Sequence, residues 1–344
     1  MREVTVLITA CGNVYMPGTT ASIKNNGERS IRLIGADMNH DDTILQMVDA
    51  YYTVPRGDDP SYADAILDIC IKEKVDVVIP IMSVELETLA KNADRFAAAG
   101  VALSVSDLEP LKIANNKLAL LNYMKAHEIP TARFCKVNCV EDVDKALEEV
   151  GVPVVFKTTE GSGSRGMRII DPSKSRFDIL FHEKPTSAYV TLKDFKETLQ
   201  EGQMPQMLAM EYLPGHEYTV DMLCDNGKVL YSLCRRGLNV QTSIILDGIV
   251  EDKPEIIQLC NQVAESLKLT GNIGFDVKER ADGTPVIMEC NPRATAGVSE
   301  FAASGVNLLY LNIKRCLGEP LPELTPKYGV IMKRRYMEMY SNGI

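Results

Sequence analysis

Apolar and polar positions alternate in short blocks along the first hundred residues. Residues 4–9 form a nearly continuous apolar run, as a strand buried on both faces requires. Residues 30–36 and 75–81 repeat that run, and 101–105 gives a shorter one. Between them, residues 61–74 set Ala65, Ile66, Ile69 and Cys70 on one helical stripe. Residues 85–98 predict another helix, and a polar link over 12–20 leads into a helix ending near Asn26 and Gly27. Strands alternating with helices predict a doubly wound parallel unit, with strand ends at 10–12 and 80–83 pointing into one crevice.

Farther along, the pattern predicts a connecting helix over 110–127, with Leu118, Leu121 and Met124 on its stripe, ended by Ile129 and Pro130. A helix over 140–150 follows, then two strands around a glycine-rich link at 153–170. Residues 171–206 show no period and read as irregular and polar. Residues 207–213 open a second βα region, in which 256–268 turns Ile257, Cys260, Val263, Ala264 and Leu267 inward. Residues 275–278 and 286–289 predict antiparallel strands joined at Asp282 and Gly283. After Pro326 the pattern assigns nothing.

Composition narrows the class. The chain has 344 residues, 45% hydrophobic and 24% charged, so two or three domains with real cores are expected. A net charge of −10 opposes a nucleic-acid surface, which needs a basic stripe. No stretch approaches a membrane span, and the N-terminal apolar run is too short for a signal peptide. Nine cysteines, an odd number scattered through apolar runs, read as reduced thiols. The four histidines lack metal-ligand spacing, and Cys135 and Cys139 lack a second pair. A soluble, cytoplasmic protein that binds neither nucleic acid nor membrane is expected.

Candidate chemistry begins where the strand at 153–157 ends in Lys157. Gly161, Ser162, Gly163, Ser164, Arg165 and Gly166 follow, and such a link lets backbone N–H groups converge on an anion. It is not a P-loop, since no Gly-Lys-Ser/Thr closes it, and no helix follows as a dinucleotide fingerprint needs. A plain glycine-rich hairpin turn is the alternative. Asp276 and Glu289 fall on paired strands, followed by Asn291 and Arg293. Such hard oxygen donors suit Mg²⁺ when nucleotide phosphates complete its shell. Glu211 and Glu217 flank Pro214 and Gly215 in what reads as a hairpin, suited to a purine edge and ribose hydroxyls, or to nothing more than a turn.

Taken in order, Asn116-Lys117 at a helix start, PVVFK, the glycine link ending RGMRII, MEYLPGHEYTVD, GNIGFDVK and MECNPR resemble the ATP-grasp superfamily over about residues 105–318. The closer likeness is to its biotin-carboxylase and carbamoyl-phosphate-synthase-large-subunit-like branch. The resemblance implies an α/β (α+β) chain. Its parts would be a Rossmann-like preATP-grasp domain over 1–108, a linker helix and ATP-grasp lid subdomain over 109–208, and a C-terminal ATP-grasp subdomain with the metal site over 209–344.

It also implies site roles. Lys117 and Lys157 would lie on the nucleotide phosphates, beneath a flap of Gly161, Ser162, Gly163, Ser164 and Gly166. Glu211, Tyr212 and Leu213 would form the adenine hinge, and Glu217 would contact ribose. Asp276, Glu289 and Asn291 would hold Mg²⁺ or Mn²⁺. Lys157, Arg293 and Arg236 would be catalytic, Arg293 at the acyl-phosphate or the acceptor and Arg236, with Arg235, near the γ-phosphate; an exposed arginine pair is the plain alternative. Glu85 could meet a substrate amine or simply begin a helix.

The activity implied is an ATP-dependent ligase. It would phosphorylate a small-molecule carboxylate, pass the acyl group to an amine or thiol, and release ADP and phosphate. A homodimer is common for such enzymes. The C-terminal portion of a biotin carboxylase and the second half of a carbamoyl phosphate synthase are missing, so one acyl-phosphate-forming unit is expected. A carboxyphosphate-forming kinase and a non-catalytic ATP-binding module are the rival expectations, the second weakened by retention of the whole ligand set.

Overall fold

The computed structural model describes residues 2–161, 165–241, 244–335 and 337–341. Its first sheet is parallel and contains β1 (Val4–Ile8), β2 (Ile31–Asp37), β3 (Ala50–Thr53), β4 (Val77–Ile79) and β5 (Ala102–Leu103), ordered β3-β2-β1-β4-β5. Val4, Val6 and Ile8 enter one core while Leu7, Ile34 and Ala36 enter another. Both faces are therefore covered, which is why these strands read as unbroken apolar runs. The partly exposed edge strand β3 lacks that run and has no counterpart in the sequence pattern.

Helices α1 (Met16–Lys24), α2 (Tyr62–Glu73), α3 (Ser83–Lys91) and α4 (Ala93–Ala98) connect these strands. The single helix expected over 85–98 is two, broken where Asn92 leaves helical geometry. The connecting helix also divides, into α5 (Leu108–Asn115) and α6 (Lys117–Ala126). Asn116 between them is extended, and its side chain accepts from the Ala119 N–H, an N-cap that places Lys117 at the first helical position.

A second, antiparallel sheet follows. It contains β6 (Phe134–Val137), β7 (Val154–Thr158), β8 (Arg168–Ile170) and β9 (Met207–Glu211), ordered β6-β9-β7-β8. Helices α7 (Asp142–Val150), α8 (Arg176–His182) and α9 (Leu192–Gln200) accompany it, and Val143, Ala146 and Phe195 pack on Val154 and Phe156. The stretch expected to be irregular holds α8 and α9, capped by Ser175 and Thr191. Strand β9 straddles the division expected at 208/209 but pairs wholly within this sheet.

The third sheet is antiparallel, not the βα repeat expected. It comprises β10 (Glu217–Asp225), β11 (Lys228–Gln241), β12 (Ile244–Glu251), β13 (Gly271–Glu279), β14 (Pro285–Asn291) and β15 (Ile331–Lys333), ordered β14-β13-β10-β11-β12-β15. Helix α10 (Pro254–Ser266) buries Ile256, Cys260 and Val263 against Tyr218, Val220 and Phe275 on one face. Helices α11 (Glu300–Ala303) and α12 (Leu308–Cys316) lie on the other, where Leu223, Leu233 and Leu309 share a core with Val4 and Val6. The N-terminal sheet is thereby packed onto the C-terminal one. Residues 211 and 217 are not hairpin partners, because β9 and β10 belong to different sheets. The unassigned tail supplies β15, whose three residues are mostly exposed at the sheet edge.

Candidate active site

Period-two alternation selects the site. On β10, Glu217, Thr219 and Asp221 point away from α10, opposite Lys278, Asp276 and Gly274 of β13; Thr219 also lies opposite Arg235 of β11. β13 and β14 pair with Asp276 opposite Glu289, and the register shifts just after Asp276, a bulge at the site itself. This face floors a cavity of about 310 Å³. Lys117, Lys157, Thr158, Gly161, Arg165 and Met167 line it from α6, β7 and the β7–β8 link. Tyr15 and Ser83 line it from the N-terminal unit, and Arg334 from the tail.

One end of the cavity gathers lysines and acids. Lys117 Nζ lies 3.0 Å from Glu289 Oε2 and donates to the Gly161 carbonyl at 3.1 Å. Lys157 Nζ donates to the Met288 carbonyl at 3.4 Å. Asp276 accepts from Thr219 Oγ1 and from Asn291 Nδ2, each at 3.1 Å. Asn291 Oδ1 accepts from Arg293 Nη2 at 3.1 Å, and Arg293 Nε donates to Ser83 Oγ at 3.3 Å.

Electrostatics follow from this crowding. Desolvation, then the Glu289 and Glu217 charges, push the Asp276 carboxyl well above the usual range. Glu289 is also desolvated, yet Lys117 and Lys157 overcome that and hold it low. Desolvation brings the Lys157 ammonium down to about 8 despite the nearby acids. Burial likewise lowers Arg293 and raises Glu217, which lines the same end.

The site includes much of what the sequence nominated, though not all. Lys117, Lys157, Gly161, Glu217, Asp276, Glu289, Asn291 and Arg293 all line the cavity. Ser162, Gly163 and Ser164 lie outside the described residues. Gly166 adopts φ 75, where an added Cβ would also crowd Thr158 at 3.0 Å. Glu211, Tyr212 and Leu213 are absent from the lining. The Glu211 carboxylate is taken up by Arg280 at 2.6 Å and Arg133 at 3.2 Å, clamping the passage between the two antiparallel sheets. The Tyr212 ring faces Lys278, and Leu213 is core.

Arg236 is a correction. It sits on the α10 face in a two-pronged pair with Glu251, its Nη2 2.7 Å from Oε1, and Arg235 lines the cavity in its place. Adjacent strand residues face opposite ways, so only one of the two could enter. Glu85 is buried and accepts from Thr9 Oγ1 at 2.6 Å, from Tyr62, and from the Ile81 and Met82 N–H groups. It closes the start of α3 and does not line the cavity. Sequence reasoning passed over Tyr15 and Arg334, which no local motif marks; Thr295 opens the 295–299 loop expected to carry substrate specificity, and it lines the cavity.

Among the described residues, no group of three or more His, Cys, Asp or Glu side chains could hold a metal by itself. Asp276 and Glu289 nonetheless fit a divalent ion whose remaining ligands are phosphates and water. They are adjacent, and the raised Asp276 carboxyl marks an excess of negative charge. Asn291 turns its amide nitrogen to Asp276 and its oxygen to Arg293, so an amide flip is needed before it could add a third oxygen.

Three family models match the chain. The PylC-like N-terminal domain matches residues 6–104, the carbamoyl-phosphate synthase L chain ATP-binding domain matches 116–214, and the ATP-grasp in the biosynthetic pathway with Ter operon matches 203–337. The large chain of carbamoyl phosphate synthase from Clostridium acetobutylicum is 26% identical over 286 residues, or 79% of this chain. The chain spans only 25% of that relative's length. Among solved structures, L-amino acid ligase from Bacillus licheniformis superposes with TM-score 0.67 at 17% identity, covering 92% of this chain and 75% of its own. The biotin carboxylase domain dimer of Hydrogenobacter thermophilus 2-oxoglutarate carboxylase, solved with MgADP, ADP and bicarbonate, gives 0.69 at 17%, covering 95% and 73%.

Proposed function

Because ATP-binding and ATP-grasp family models match residues 116–214 and 203–337 and the carbamoyl phosphate synthase large chain is 26% identical, we propose that the chain is an ATP-grasp enzyme of that branch, an ATP-dependent carboxylate–amine (or thiol) ligase. One observation carries this reading. Lys117, Lys157, Asp276, Glu289 and Arg293 come from a helix start, a lid strand, a hairpin and the loop beyond it, yet line one cavity.

The chemistry divides into two displacements. A substrate carboxylate oxygen attacks the ATP γ-phosphorus and ADP leaves. The acceptor amine then attacks the acyl carbon, phosphate leaves, and the amine loses a proton. The protein's part is alignment and charge neutralisation. Lys117 and Lys157 would meet the phosphates, and Arg293, bonded to Ser83 and Asn291, would orient the carboxylate undergoing transfer. Asp276 and Glu289, with Asn291 once flipped, would hold Mg²⁺ or Mn²⁺, which when bound neutralises phosphate charge. The β7–β8 link would shield the acyl-phosphate from water. A homodimer is the assembly this reading carries over from the dimeric carboxylase domain.

The test is ADP release from MgATP over a panel of carboxylates and amines. Release should require both substrates together. Lys157→Ala and Glu289→Gln should each lower it by about 10³-fold, a loss typical of removing charge stabilisation from a transition state, with urea midpoints near wild type. Full turnover in either variant refutes the site. ADP release with bicarbonate and no amine consumed would favour the carboxyphosphate reading, and ATP binding without turnover the non-catalytic one.

A further inference from the structure

The cavity has a second charged wall that the phosphate-facing residues do not use. Arg334, just past β15, donates Nε to the Ile245 carbonyl at 3.0 Å and Nη2 to the Ala296 carbonyl at 2.6 Å. The Tyr15 ring lies 4.6 Å from its guanidinium carbon. These partners are neutral, and among the described residues no carboxylate forms an ion pair with Arg334. Arg235 beside it is buried, with Nη2 bonded to Thr295 at 3.1 Å and Nη1 paired with Asp221 at 3.4 Å, so its charge is met from within the protein. A guanidinium that lines a cavity with only neutral partners keeps its charge for an anionic ligand.

Placement separates Arg334 from the phosphates. In the strand order, β15 lies four steps from β13, roughly 19 Å at about 4.8 Å per step. Arg334 thus reaches the cavity from the side opposite the Asp276–Glu289 pair. The nearby acids pair with Arg235 and form no ion pair with Arg334 among the described residues. Asp221 lies 3.4 Å and Glu300 3.9 Å from Arg235, and burial raises both carboxyls, that of Glu300 to about 7.

We propose that Arg334 binds a second anionic group of the substrate, a free carboxylate remote from the reacting group. Resting on the ligase reading, this makes one substrate either a dicarboxylate acyl donor or an amino-acid acceptor. Arg334 is then a specificity-determining residue contributed by the tail, and Tyr15 positions it from the N-terminal unit.

Calorimetric titration of the full chain, with Mg²⁺ and a non-hydrolysable ATP analogue present, tests the proposal with matched pairs. The pairs are glutarate against its monomethyl ester, and L-alanine against L-alaninamide. In one pair the member with the free carboxylate should bind about 10- to 100-fold tighter, the range expected for a charge-assisted contact. Arg334→Gln and Arg334→Ala should remove that preference while changing analogue affinity less than about twofold. The responding pair tells donor from acceptor. Absence of a preference in both pairs, its survival in both variants, or parallel loss of nucleotide affinity would overturn the proposal. ADP release measured alongside keeps the two readings apart: anion binding without ADP release sinks the ligase and leaves the wall.

Discussion

At the end of the cavity floored by β13 and β14, Lys117 and Lys157 meet Asp276 and Glu289; toward β11 and β15, Arg235 pairs with Asp221 and Glu300 while Arg334 has only neutral partners. Both ends hold two cations and two acids, yet they favour opposite ligands. At the first, Lys117 contacts Glu289 directly at 3.0 Å, and Asp276, crowded by that same Glu289, is the group under strain. The missing partner there is a cation. At the second, Arg235 is answered by both acids, at 3.4 and 3.9 Å, and Arg334 has carbonyl partners only. The missing partner there is an anion for Arg334. Formal charge counting cannot separate the two ends; the group left without a charged partner does.

The largest effect that could break this comparison comes from Arg235→Ala. Removing the guanidinium strands two buried acids, and such losses cost about 3 to 5 kcal/mol. Lys117→Ala at the other end removes one of two cations on Glu289, with Lys157 still near, and should cost less. Urea unfolding of both variants at neutral pH checks the pair. Equal losses would show that the ends are built alike.

The two ends were not equally legible in the sequence. A short turn and strand alternation bring Asp276 opposite Glu289, so local pattern suffices. Glu211 misleads because β9 and β10 read as one hairpin, while the Pro214–Gly215 passage crosses between sheets. Arg235 and Arg236 are equivalent in one dimension. Only the burial of Tyr218, opposite Arg236, under α10 decides which one faces the cavity. Tyr15 and Arg334 meet solely because the N-terminal unit packs on the C-terminal sheet, and β15 is too short and exposed to show a period.

A pH profile sharpens the same comparison with a slightly smaller effect. Glu300 ionises near 4.5 when unfolded, whereas burial raises the folded carboxyl to about 7. The stabilisation it provides is therefore complete below its unfolded value and lost as pH rises through about 7. Over that span the loss amounts to roughly 3 kcal/mol. Glu300→Gln should flatten this part of the stability curve, as followed by urea midpoints between about pH 4 and 8. An unchanged slope would mean that Arg235 keeps Glu300 ionised throughout this range.

The smallest expected effect is the most discriminating for orientation. Arg236 and Glu251 have side chains 25% and 22% exposed, and their pair lies on the α10 face. A partly solvated pair of this kind is worth under about 1 kcal/mol. Arg236→Ala should therefore leave ADP release within about twofold of wild type. Arg235→Ala, measured at a temperature where it stays folded, should impair substrate use. Kinetic collapse on replacing Arg236 would mean that β11 presents its other face to the substrate. The same strand would then carry Cys234 toward the cavity, contradicting its burial beneath α10.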